Sequence, residues 1–369
     1  MNSSILPFRS WIAAVLILLV TESAVYSIAH PNTYDRNNFL QFAFAHEETP
    51  QRAFIYDKIK AFADSHPTIV QSGDSSGFYG IEPSVVMRHL PPGVTYLNMS
   101  CCANLGYNGY YNILEFMLQH NPSIRYAVLH ITPYTMPLRE LWESDGAALW
   151  GAPDIKVFGD AVYQEYLGIW RIFHLPSLAF REQVTDLFYY LRNPFKDRPL
   201  MTNPDYLAFA EMFQRTLGWM PEDDVRNGVY AVECQVPMPK FFDIWTMRYK
   251  TYLQQILEAY AVMVRRYHAK LVVVFQPVAC VVGTGAGTAE ARAVIEQFKR
   301  DNPDVDIPFP LVSTWPADMF SVPAHIRHEY TDRIGDRLGN AMAAILARDG
   351  VTGPLTPPPT AANANNDRR

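Results

Sequence analysis

The sequence predicts an α/β protein in which a parallel sheet is sandwiched by helices and carries a large helical insertion. Three observations predict it. Short β-branched or nearly continuous apolar runs, such as Tyr126–Ile131 and Lys270–Phe275, recur along the chain. Stretches of helical period separate them, and strand–helix alternation implies βαβ crossovers with parallel pairing. Strands apolar along their whole length fit a sheet covered on both faces.

The elements follow in chain order. Arg9 precedes the apolar run Trp11–Val20, and a second apolar patch, Ala24–Ala29, lies beyond Glu22. Residues 1–29 read either as an uncleaved signal anchor or as a signal peptide cut near Ser27-Ile28-Ala29. Residues 30–66 are a connector and a leading helix. The first part of the core, 67–137, opens with the strand run Thr68–Ser72, which ends at Gly73. Pro83 suits a helical first turn, and the helix continues over Ser84–Leu90. A second strand covers Val94–Met99 and is closed by a loop from Gly106 to Gly109. A helix follows over Tyr111–His120, then a third strand, Tyr126–Ile131, stopped by Pro133.

Residues 138–235 break the rhythm. They hold Trp142, Trp150, Trp170 and Trp219 among many Tyr and Phe, and read as an aromatic-rich helical insertion over the sheet. The second part of the core, 236–350, resumes the alternation. It is expected to contain a helix over Phe242–Tyr267, the strand Lys270–Phe275, a loop over Gly283–Gly287 and a helix over Ala289–Arg300. A last strand over Ile307–Val312 and a closing helix over Glu329–Ala347 complete it. Residues 351–369, rich in Pro, Ala and Asn, have the composition of a disordered tail.

The chain has 369 residues, a formal net charge of −6 and no long basic run, which argues against a nucleic-acid partner. Its four cysteines, Cys101, Cys102, Cys234 and Cys280, show no zinc spacing. Outside the cytosol they allow one disulfide, and buried free thiols are the other reading. No cofactor and no metal are expected.

The chemistry centres on Gly73-Asp74-Ser75-Ser76-Gly77. Ligands of parallel α/β sheets bind outside the carboxyl ends of the strands, which is where this turn lies. Glycine lets the backbone turn sharply, and a following helix aims free N–H groups and a positive dipole end at the spot. A serine there becomes a nucleophile if a base takes its proton; a capping serine is the ordinary alternative. The string also fits the G-x-S-x-G elbow of α/β-hydrolases. That fold needs a strand and loop upstream, and too little chain precedes residue 68.

These residues resemble the SGNH (GDSL-type) hydrolase superfamily, in particular membrane-anchored members that edit or acylate exopolysaccharides. The likeness rests on Gly73-Asp74-Ser75, on Asn98-Met99-Ser100 followed by Gly106, and on a histidine before the last helix, either His325 or His328. It implies a flavodoxin-like sheet, Ser75 as nucleophile and His325 as base, with His328 the alternative base. It further implies an oxyanion hole from Ser75 and Gly106, with Gly109 the alternative to Gly106. Two departures stand out. The asparagine expected after the third strand is replaced by Thr132, which takes its place as a hydrogen-bond donor. The aspartate expected three residues before the histidine is Val322, and Asp318 is the stand-in that would orient His325.

The implied activity is hydrolysis or transfer of an acyl ester on a secreted polysaccharide. The expected partners are that polysaccharide, a membrane reached through the N-terminal segment, and proteins of an export complex. The expected location is membrane-anchored and facing the periplasm or exterior, or secreted if the N-terminus is cut. The alternative is a non-catalytic SGNH-like domain that binds glycan or scaffolds an export machine.

Overall fold

The computed structural model describes residues 8–29, 64–101, 106–133, 211–221, 247–279, 286–322 and 324–353, with isolated positions between 54 and 62. Most of the insertion, the tail, Cys102, Cys234 and Cys280 lie outside them. The protein is a mixed α/β structure built on a four-stranded parallel sheet of order β2-β1-β3-β4. Its strands are β1 (Ile69–Gly73), β2 (Tyr96–Asn98), β3 (Tyr126–Ile131) and β4 (Lys270–Phe275). Every residue of β1 and β3 is buried, as continuous apolar strands require.

Side chains alternate across this sheet and feed two apolar cores. Val70, Leu97, Leu129 and Val273 face one core with α4 (Gly106–His120), α5 (Met247–Arg266) and α6 (Ala286–Asp301). Ile69, Tyr96, Val128 and Val272 face the other, with α3 (Pro83–Met87) and α7 (Thr331–Arg348). Each fully buried aliphatic side chain contributes about 1.5–3 kcal/mol relative to exposure. Gly335 and Gly339 let α7 approach α3: a Cβ at Gly335 would lie 2.7 Å from Val85 Cγ1, and one at Gly339 2.9 Å from the Val86 carbonyl.

Two sequence expectations need correction. The residues read as a loop from Gly106 onward already form the first turn of α4. The last strand does not form over Ile307–Val312. Asp306 makes a single parallel bridge to Val272, and Pro308 and Pro310, which lack amide hydrogens, prevent a ladder beyond it. The chain instead pairs at β6 (Thr314–Trp315) with β5 (Val278–Ala279), and then makes an antiparallel hairpin of β7 (Phe320–Val322) and β8 (His325–Ile326).

At the amino end of the chain, α1 (Phe8–Ala29) exposes Trp11, Val15, Leu16, Ile17, Leu19 and Val20. Among the described residues, no helix is long and apolar enough to cross a membrane.

A lysine lies inside the molecule. Lys58 is fully buried, and its Nζ donates to the carbonyls of Asn98 (3.1 Å) and Ser100. The same atom sits 4.1 Å from the Phe78 ring centre and 5.3 Å from that of Phe213. Two carbonyls and two ring faces favour the ammonium, but removal from water outweighs them and pushes Lys58 well below the ordinary lysine range. Its folded value lies under its unfolded one. Between the two, the unfolded chain holds a proton that the folded chain has released, so stability is expected to rise with pH in that window. Denaturant unfolding at about pH 7 and about pH 9.5 checks this, and Lys58→Met should flatten the rise.

Candidate functional site

β1 ends at Gly73, where the backbone passes so close to β3 that a Cβ would lie 1.8 Å from the His130 carbonyl oxygen. Any side chain would force the two strands apart. Asp74 follows with extended backbone and caps the short helix α2 (Ser75–Gly80). Its Oδ1 accepts from the Ser76 amide at 3.0 Å and from the Ser76 hydroxyl. Its Oδ2 accepts from the Thr132 amide at 2.8 Å. One buried carboxylate thus joins the turn after β1 to the residue after β3.

Ser75 is the first residue of α2 and is half-buried. Its Oγ lies 2.7 Å from Nε2 of His325, the first residue of β8. This is hydrogen-bond distance for a nucleophile and its base, made between residues 250 apart in the chain. The Tyr79 ring packs against the His325 imidazole with centres 5.1 Å apart, and Ser321 Oγ donates to the His325 carbonyl at 3.3 Å.

The other predicted residues fall as follows. His328 does not reach Ser75; it is exposed in the 3-10 turn His328–Tyr330 and stacks on Trp219 with ring centres 5.5 Å apart. Asp318 is exposed in the 3-10 turn Ala317–Met319, and its carbonyl accepts from Arg327 Nη1 at 3.2 Å. Among the described residues, no bond joins its carboxylate to His325. Thr132 is buried, and its backbone amide is engaged by Asp74. Gly106 is the opening residue of α4, where amides have no intrahelical acceptor. Cys101 is disulfide-bonded, which removes it as a nucleophile, and its amide donates to the Gly73 carbonyl at 3.1 Å.

The described part of the insertion lies at the carboxyl ends of the strands. The Asn98 amide donates to the Leu217 carbonyl at 3.0 Å, and Gly218 packs so tightly that a Cβ would meet the Asn98 carbonyl oxygen at 2.0 Å. Trp219 Nε1 donates to the carbonyl of Tyr79 at 2.7 Å, which brings the insertion to the helix that Ser75 opens.

Sequence reasoning missed the polar layer beneath Ser75. Asn98 Nδ2 donates to the carbonyls of Gly77 (2.8 Å) and Ile81 (2.9 Å), while its Oδ1 accepts from Gln71 Nε2 (3.1 Å) and the Ser100 amide (3.0 Å). Gln71 also donates to Ser100 Oγ at 2.8 Å. A Cβ at Gly77 would come within 2.8 Å of both Gln71 Nε2 and His130 Nδ1. The available signal was a set of polar residues at strand ends otherwise written in apolar letters.

His130 belongs to this layer. It is fully buried, its Nδ1 lies 3.4 Å from Ser76 Oγ, and its Nε2 meets no partner among the described residues. Burial pushes it down to about 4, against the opposing pull of Asp74. As pH falls from the unfolded value near 6.5 toward 4, the unfolded chain takes up a proton that the folded one refuses, so stability is lost across that window. Thermal melting against pH should show a shallower acid decline in His130→Gln than in the wild type.

No known protein family matches the chain, and neither a curated protein nor a solved structure is similar to it.

Proposed function

We propose that the protein is a serine esterase or O-acyltransferase of SGNH type, on a flavodoxin-like sheet, acting on acyl esters of a secreted polysaccharide. The observation that carries this reading is the 2.7 Å contact between Ser75 Oγ and His325 Nε2. His325 accepts the Ser75 proton as Oγ attacks the ester carbonyl. The oxygen of the tetrahedral adduct gathers negative charge next to the amino end of α2, where the Ser75 amide and, from α4, the Gly106 amide are the donors assigned to it. His325 then returns the proton to the departing alkoxide, leaving an acyl group on Ser75. Attack by water gives hydrolysis; attack by a second sugar hydroxyl gives transfer. In either case His325 takes the incoming proton and passes it back to Ser75.

The non-catalytic reading draws on a different observation. Asp318 is exposed and unbonded to His325, and the Thr132 amide serves Asp74. A histidine base that Asp318 does not orient acts more slowly, and each oxyanion donor that is missing costs about 3 kcal/mol of barrier lowering. Such losses reduce turnover without removing the nucleophile, so the catalytic reading stands first.

The dyad is tested on an aryl acetate. Ser75→Ala, His325→Ala and the double variant should each lose about 10²–10⁴-fold in kcat, without adding, because nucleophile and base act as one unit. His328→Ala should lose little. Unchanged turnover in folded Ser75→Ala would leave the glycan-binding reading.

The exposed apolar surface of α1 supports attachment to a membrane, with the remaining domain outside the cytosol. Replacing Leu16 and Leu19 by Asp should shift the protein from the membrane to the soluble fraction on ultracentrifugation. An unchanged distribution would remove α1 as the attachment.

A further inference from the structure

His325 does not sit on the four-stranded sheet. It belongs to the hairpin of β7 and β8, which pairs only with itself among the described strands. Burial of Phe320 and Ile326 in the core beside α3 and α7 anchors the hairpin, but apolar packing is not directional, so fixing the 2.7 Å contact with Ser75 needs a hydrogen bond to the end of the sheet. Gln276 stands at that place. It follows β4 directly, is completely buried, and its amide donates to the Ile131 carbonyl at the end of β3 at 2.9 Å. Its side chain crosses to the hairpin, where Nε2 donates to the carbonyl of Ala324 at 3.0 Å. Ala324 is the residue immediately before His325 and is itself buried. The same Nε2 lies against α2, 3.8 Å from where a Cβ of Gly80 would be. The Gln276 carboxamide thus lies between the helix that carries the nucleophile and the backbone that carries the base.

We propose that Gln276 is the positioning residue of the dyad, holding the Ala324–His325 peptide so that Nε2 of His325 meets Ser75. This rests on the esterase reading of Ser75 and His325. Nothing in sequence pattern marks it, since a glutamine after Lys270–Phe275 and before Pro277 reads as a strand end. The chemistry is specific in two respects. A buried carbonyl deprived of its donor is destabilised, so the hairpin shifts to find another partner. Reach also matters: Asn at this position keeps the carboxamide but falls short by one methylene, about 1.5 Å. A misplacement of about 1 Å at a reacting pair lowers the rate by about 10²-fold.

Gln276→Met and Gln276→Asn separate positioning from mere support. The first keeps volume and removes the donor; the second keeps the donor and removes the reach, and serves if the first melts too low. Both should lower kcat on an aryl acetate by about 10²-fold with KM unchanged. Independently of turnover, carbethoxylation of His325 by diethyl pyrocarbonate, followed at peptide level by mass spectrometry, should be several-fold faster in both variants below their melting temperatures. The exposed His328 should react at its wild-type rate in the same samples. Wild-type reactivity of His325 in the folded variants would overturn the proposal, even if the melting temperature had fallen. So would full kcat in both variants while Ser75→Ala is inactive. Loss of turnover in Ser75→Ala bears on the esterase reading alone, and the His325 modification rate bears on Gln276 alone.

Discussion

The Asp74 carboxylate is the constraint on which the site is built. The oxygens of a buried carboxyl group need hydrogen-bond donors, and Asp74 finds them on opposite sides. The Ser76 amide and hydroxyl hold one oxygen and the Thr132 amide the other. These bonds fix where α2 begins and how β1 ends relative to β3. Gly73 makes the arrangement sterically feasible, because the strand crossing leaves no volume for a Cβ. With α2 started at that point, Ser75 has little choice about where its side chain emerges. The amide that caps to Asp74 is also one that no intrahelical carbonyl would have satisfied.

Around this carboxylate the interior is polar to an unusual depth. Gln71, Asn98, Ser100, His130 and Lys58 are all fully buried, and they exchange bonds with backbone carbonyls as much as with each other. Such a layer is rigid because each member's bonds are directional and few substitutes fit. Burial lowers both of its nitrogen bases, Lys58 well below the ordinary lysine range and His130 to about 4. Ser75 therefore rests on a floor that is polar, while His325 approaches from a hairpin.

Much of the frame was legible in the sequence for a simple reason. β3 and β4 are buried on both faces, so apolar runs marked their limits residue for residue at Tyr126–Ile131 and Lys270–Phe275. The turn after β1 was visible because glycine and a capping acid are local requirements. The last strand was misread because Ile307, Phe309 and Leu311 look like strand residues. Only the two intervening prolines reveal that no ladder can form there. The hairpin of β7 and β8 has strands of three and two residues, too short for any period to register. The sequence singled out Ser75 by its turn after the first strand, and His325 or His328 by their place before the last helix, and the structure sets Ser75 Oγ 2.7 Å from His325 Nε2. Gln276, Lys58 and His130 were not, because their roles depend on contacts between segments that sequence order separates widely.

The separation of Ser75 from His325 has a consequence for how the protein matures. The Ser75 turn is made early in the chain from neighbouring strands, whereas His325 arrives in a hairpin 250 residues later. Closing so long a loop is entropically unfavourable until the intervening sheet has formed. The Ser75–His325 contact is thus among the last to be assembled, and a chain emerging amino end first holds Ser75 without it until the final helix docks. The contact between the two side chains therefore coincides with completion of the fold.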